Sequence, residues 1–262
     1  MSSWTKYTNI TTHLDDGIAI ISLNRPEILN ALSYEMEEEL FHACSICSEN
    51  KDIRTVLITG KGRAFSSGGD VKKMESGMNQ LEGKAWCELA NKLITTIITM
   101  PKPVIAAVNG GAVGGGMYIA LACDIVVASD KAFFSNIFTQ IGLIPDTGAH
   151  FILPRLVGTR KAMEMILMAD RVDAAKALEM GLINKVVSQE DLMTESLKIA
   201  EKLSQGSTMA FGLSKAIMVR TFSSPLSDVL EMEALMQSIA FTSEDHKERV
   251  RALLAKKTRA KS

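Results

Sequence analysis

The chain has almost no net charge: 29 lysines and arginines face 30 aspartates and glutamates, leaving −1 over 262 residues. Total charge therefore supplies no pull toward nucleic acid or an anionic membrane surface, and neither is expected as a partner. Long hydrophobic runs are also missing, and none reaches the roughly 18 to 20 apolar residues of a spanning helix. The first residues, Met1 to Asn9, carry neither the apolar core of a secretory signal nor an Arg-rich amphipathic presequence. The final Ala-Lys-Ser is not the peroxisomal Ser-Lys-Leu. A cytoplasmic location is the expectation, which leaves the sequon Asn9-Ile-Thr11 without consequence.

Cysteine is sparse: Cys44, Cys47, Cys87 and Cys123. Cys44 and Cys47, with His42 before them, have the Cys-x-x-Cys spacing of a metal or redox pair, but no second pair accompanies them. Met36, Leu40, Ala43, Cys44 and Cys47 recur at helical spacing, which puts both thiols on a core face. Packing is their expected role, and no metal is expected. The hydrophobic content of 47% is ample for a buried core in one or two domains.

Two glycine-rich turns stand out. Val104 to Val108 reads as a strand, runs into Asn109-Gly-Gly-Ala-Val-Gly-Gly-Gly-Met117 and then into an apolar stretch with helical character. A strand that ends in glycines and opens a helix leaves backbone N–H groups pointing into open space, with the helix dipole behind them. Val56 to Val71 repeats the pattern: a β-branched strand, then Gly60-Lys-Gly-Arg-Ala-Phe-Ser-Ser-Gly-Gly-Asp70, with Asp70 placed to cap a helix starting near Val71. Two such strand ends can each donate one N–H to the same oxygen.

Together these turns resemble the crotonase (enoyl-CoA hydratase/isomerase) superfamily, and the resemblance covers nearly the whole chain. It includes Leu23-Asn-Arg-Pro26 with Asn30-Ala-Leu32, Pro101 to Gly110, Cys123 to Ala128, Gly142-Leu-Ile-Pro-Asp-Thr-Gly148, Ala174 to Leu182 and Phe241 to His246. The resemblance implies an α/β crotonase fold, with a right-handed ββα spiral core over residues 1–195 and a helical trimerisation region over 196–262. It also implies a homotrimer or homohexamer acting on an acyl-CoA substrate, with coenzyme A entering as part of the substrate and no separate cofactor. By position, the oxyanion amides would be Gly69 and Gly115. The CoA and acyl contacts would come from Arg25, Ala64, Ser66, Ser67, Gly68, Lys72, Gly114, Tyr118 and Phe138, with Phe241 and Lys256 reaching a neighbouring subunit's nucleotide.

The chain departs from the family's hydratases at one decisive point. Those enzymes activate water with two glutamates, and the matching positions here are Tyr118 and Phe138. Neither can act as a carboxylate base. The carboxylate that does appear is Asp146, in the pattern of the branch that resembles ring-epoxyphenylacetyl-CoA isomerase. The implied reaction is a double-bond shift from β,γ- to α,β-enoyl-CoA, or a ring-epoxide rearrangement, with Asp146 as proton shuttle and an enolate held by the two amides. As turn chemistry, Pro145-Asp-Thr-Gly148 also reads as a plain turn. A hydratase-like lyase, an acyl-CoA thioesterase and a non-catalytic acyl-CoA-binding scaffold are the alternatives. A related dehalogenase uses a His and a Trp where this chain has Asn91 and Phe138, which argues against that chemistry.

Overall fold

The computed structural model describes residues 6–75 and 77–259, with side chains through residue 255. Its strands are β1 (Ile10–Asp15), β2 (Ile18–Leu23), β3 (Thr55–Gly60), β4 (Ala64–Ser66), β5 (Val104–Val108), β6 (Gly111–Val113), β7 (Ile125–Ser129), β8 (Phe133–Ser135), β9 (Val172–Asp173) and β10 (Lys185–Val187). Its helices are α1 (Tyr34–Glu49), α2 (Val71–Glu75), α3 (Gln80–Thr99), α4 (Gly115–Leu121), α5 (Ala149–Met168), α6 (Ala174–Glu179), α7 (Leu192–Ser204), α8 (Thr208–Met218), α9 (Leu226–Thr242) and α10 (Glu244–Arg259).

Six strands form one sheet in the order β1-β2-β3-β5-β7-β10, parallel except for the β1–β2 hairpin, and β4-β6-β8-β9 form a second. The long strands β3, β5 and β7 are each followed by a short strand, β4, β6 and β8, in the second sheet. This is the spiral of the crotonase fold. Strand β3 (Thr-Val-Leu-Ile-Thr-Gly) is buried at every residue, because α7 covers one face of its sheet and α1, α3 and α4 with the second sheet cover the other. Edge strand β1 alternates between sheltered and exposed residues.

The helix starts follow local chemistry. The Ser33 side chain caps α1 by accepting the Met36 N–H, and Asn79 with Glu82 forms a capping box at α3. Asp173 caps α6 through the Lys176 N–H, as its position before Ala174 predicts. Cys44 and Cys47 are fully buried beneath α1, where loss of solvation pushes the Cys47 thiol up to about 12.

Helix α7 crosses the expected boundary between residues 195 and 196. Its Leu192 and Ala200 pack under Ile18, Leu57, Ile105 and Val127, so the sheet's own cover runs to Ser204. The Arg54 guanidinium ties the next turn to β3 by donating to the carbonyls of Ser204 and Gly206. Beyond that turn, Met218, Phe222, Leu226, Leu230, Leu235, Ile239, Phe241, Leu253 and Leu254 are exposed.

Candidate active site

Strand pairing sets the direction of the first amide. Leu32 and Gly69 form a parallel bridge in which the Leu32 N–H donates to the Gly68 carbonyl and the Asp70 N–H to the Leu32 carbonyl, each at 2.8 Å. Along an extended chain successive N–H groups alternate sides, so using Gly68 and Asp70 turns the Gly69 N–H the other way. Gly115 is the first residue of α4, where no intrahelical acceptor exists for its N–H. Among the described residues, neither amide donates to another backbone group.

Glycine is required behind both amides by close approach. Gly68 has φ +86°, and a Cβ there would lie 2.8 Å from the Val113 carbonyl oxygen in the second turn. At Gly116 a Cβ would lie 2.4 Å from the Ser66 Cβ in the first turn. The two turns are packed backbone against backbone, which fixes the amides relative to each other. Gly114, at φ +52°, turns the chain into α4.

A cavity of about 1230 Å³ opens in front of them, and Gly69, Gly115 and Asp146 all line it. The Thr147 hydroxyl donates to Asp146 Oδ1 at 2.6 Å, and a Cβ at Gly115 would lie 3.4 Å from that same hydroxyl oxygen. The Thr147 side chain thus stands between Asp146 and the Gly115 turn. Thr147 holds this place at φ +53°, a left-handed conformation that costs a β-branched residue about 1 to 3 kcal/mol. The Cys87 thiol approaches Asp146 Oδ2 at 3.6 Å, and burial, with the Asp146 charge, raises its pKa. Phe138, Trp86, Ala90, Leu32 and Met74 give the cavity apolar walls.

A buried carboxyl, which sequence reasoning missed, lines the same cavity, as does the exposed Glu75. Glu37 on α1 is 5% exposed, and its Oε2 has no hydrogen-bond partner among the described residues. Burial lifts its pKa from the ordinary 4.5 to about 8; the Trp86 side chain opposes the rise by hydrogen bonding, and the Asp146 charge adds to it. At neutral pH Glu37 is therefore a carboxylic acid facing the Asp146 side of the cavity. The signal in the sequence was an acid at 37 on the stripe that continues through Leu40 and Cys44, which is the buried side of α1.

The raised value has a stability consequence. Between pH 4.5 and about 8 the folded chain keeps a proton that the unfolded chain has released, so stability falls as pH rises through that window. Glu37→Gln removes the titration. Thermal unfolding at about pH 5, 7 and 9 is expected to show the variant gaining on wild type with each step, most at the highest pH.

Several expected contacts lie elsewhere. Tyr118 is a correction: it is fully buried and outside the cavity lining, and its phenol oxygen accepts from Asn136 Nδ2 at 2.7 Å. It backs Phe138, with ring centroids 6.4 Å apart. Tyr118→Phe is expected to cost about 1 kcal/mol in denaturant unfolding and to leave turnover within a few-fold of wild type. Ser66 is likewise fully buried, donating to the Asn30 carbonyl at 2.8 Å and accepting the Gly68 N–H at 3.2 Å, so it shapes the turn. Arg25 spends its guanidinium on the Ala31 carbonyl and Asp70, at 2.9 and 3.3 Å. Lys72 lines the cavity, whereas Ala64 and Ser67 line a neighbouring one of about 610 Å³ with Arg63 and Arg171. Asn91 and the exposed His150 also line the main cavity, but α5 starts at Ala149, so Asp146 and His150 do not share a helix. Phe241 is exposed on α9 and stacks edge-on with His246, and the Lys256 side chain lies outside the described residues.

Comparison with known proteins agrees with this geometry. Residues 13–260 match the family described as enoyl-CoA hydratase/isomerase. The chain belongs to that family. Curated members similar to it include the short-chain-enoyl-CoA hydratase of Clostridium acetobutylicum, 34% identical over 250 residues, covering 95% of this chain and 95% of the relative. The 1,2-epoxyphenylacetyl-CoA isomerase of Escherichia coli is 35% identical over 252 residues, covering 95% of this chain and 96% of the relative. Among solved structures, enoyl-CoA hydratase from Bacillus anthracis superposes with a TM-score of 0.91 at 32% identity, covering 95% of this chain and 97% of that one. The enoyl-CoA hydratase/isomerase family thus includes both chemistries among this chain's relatives. Family membership fixes the crotonase fold, and among the described residues no helix is long and apolar enough to cross a membrane.

Proposed function

We propose that this member of the family is an isomerase, moving a double bond from the β,γ to the α,β position of an acyl-CoA. The thioester oxygen is held by the Gly69 and Gly115 amides. Asp146 takes a proton from the α carbon, and the electron pair of that C–H bond becomes a dienolate whose charge rests on the amide-bound oxygen. Asp146 then returns the proton to the γ carbon, and the double bond re-forms in conjugation. Fixed amides stabilise the charge better than water does because they need not reorient, at about 3 kcal/mol per donor.

The observation that carries this reading is the position of Asp146: it lines the same cavity as the Gly69 and Gly115 amides, while Tyr118 and Phe138 occupy the places of the hydratase glutamates. The apolar Phe138 wall keeps water from the dienolate, so the proton goes back to carbon. The same base could open a ring epoxide of a phenylacetyl-CoA, as the similarity to the Escherichia coli isomerase suggests. No cofactor is needed beyond the coenzyme A of the substrate.

The test is incubation with a β,γ-enoyl-CoA in deuterated buffer. Conjugation of the product is expected, with the α hydrogen recovered at the γ carbon and deuterium there only to the extent that the proton on Asp146 exchanges with solvent before it returns. Fast hydration of crotonyl-CoA without any double-bond shift would overturn the assignment. Hydration is the second reading because two sheltered carboxyls, Glu37 and Asp146, line one cavity. The apolar side chains exposed on α8 to α10 favour assembly with further copies of the chain, as trimer or hexamer, in the cytoplasm. Sedimentation equilibrium is expected to give at least three copies of the 28.5 kDa chain.

A further inference from the structure

Glu37 has no part in that mechanism, yet it is the least easily explained group in the cavity. A buried polar atom without a partner is costly, and native proteins keep one mainly where something else completes it. Its Oε2 has no partner among the described residues, and the side chain stands with Trp86, Cys87, Ala90, Met74 and Leu32 on the cavity wall. Oε2 is closed off from water as well, so the carboxyl goes short of a hydrogen bond while the cavity is empty. A hydrocarbon chain entering the cavity would supply nothing to it. A chain carrying an oxygen at the right depth would supply the hydrogen bond, since a carboxylic acid offers one O–H donor together with acceptor oxygens.

Alternative purposes fit less well. Among the described residues no lysine or arginine is placed to pair with Glu37, so it is not half of a salt bridge. The groups that act on it are Trp86 from α3 and Asp146 from the segment before α5, and Glu37 in turn acts on the Cys87 thiol of α3. None of these is a cation. The proposed mechanism uses Asp146 for the proton transfer, so the role left to Glu37 is recognition.

We propose that Glu37 is a specificity-determining residue that hydrogen-bonds an oxygen carried on the acyl group beyond the thioester, so that the cavity selects oxygenated acyl-CoAs over plain hydrocarbon ones. This rests on the acyl-CoA reading of the site and deepens it, without requiring isomerisation. A site built to bond a substrate oxygen rejects the analogue lacking it, because its own polar group is then left unpaired.

The experiment is calorimetric binding of saturated acyl-CoAs with about four to eight acyl carbons, each compared with its terminal hydroxyl derivative, to wild type, Glu37→Gln and Glu37→Leu. For at least one chain length, wild type is expected to bind the hydroxylated member roughly ten- to a hundredfold more tightly. Glu37→Leu is expected to reverse that order by gaining affinity for the parent chain, while Glu37→Gln, of nearly the same shape and able to donate and accept, keeps most of the preference. Equal or weaker binding of the hydroxylated member at every chain length overturns the proposal, as does a preference that survives in Glu37→Leu. Should Glu37→Leu fail to fold, the wild-type comparison alone decides. A hydroxyl preference in a protein that shifts no double bond supports this proposal and defeats the isomerase reading. Isomerisation with no hydroxyl preference does the reverse, and no binding of any acyl-CoA defeats both.

Discussion

Asp146→Asn is expected to lower kcat for double-bond migration by about 10² to 10⁴ while changing KM little. The amide keeps the shape and still accepts from Thr147, whose hydroxyl lies 2.6 Å from Oδ1 in the native chain, so the turn should survive. What is lost is a group that can accept a proton at neutral pH. Because the amides of Gly69 and Gly115 remain, the variant should still catalyse slow exchange of α hydrogens with solvent-derived bases, and steady-state kinetics with parallel NMR would separate the two rates. Unchanged kcat would remove Asp146 from the mechanism.

The other large effect concerns the contact between the two turns. Gly116→Val is expected to reduce kcat/KM by about 10² to 10³, the loss associated with one oxyanion donor, and to destabilise the fold by about 1 to 3 kcal/mol. A Cβ at 116 would meet Ser66 Cβ at 2.4 Å and Oγ at 2.6 Å, with the Ser66 carbonyl 3.1 Å away. Ser66 is fully buried and bonded to Asn30, so it cannot swing aside. The turns must separate instead, and the amides no longer converge on one oxygen. Thermal unfolding alongside kinetics checks both parts, and Ser66→Ala in the same chain, by removing Oγ, should recover little, because the tightest approach is to Cβ.

The glycine turns were legible because only glycine permits their backbone contacts, and glycine is visible as a letter. Strands β3, β5 and β7 were legible for a related reason: covered on both faces, they read as near-continuous apolar runs. The three-residue strands β4, β6 and β8 were not, since so short a segment has no period of its own and exists through pairing. Tyr118 was assigned to the cavity because its position in the motif is known while the face it turns to depends on Asn136 and Phe138. Glu37 was overlooked because an acid in a helix ordinarily marks the solvated side, although its position falls on the stripe through Leu40 and Cys44 that α1 turns inward. Helix α7 was assigned partly to the tail because its amphipathic stripe fits either a sheet or another subunit, and the sheet claimed it.

The Leu32–Gly69 bridge carries one last implication. Whether position 69 shows the thioester a hydrogen or a lone pair is a matter of odd or even count from the residues that pair with Leu32. Dropping or adding a single residue between Ser66 and Asp70 would exchange the two and aim a carbonyl oxygen at the substrate's own. The length of that turn is therefore as constrained as any side chain, although no side chain there does chemistry.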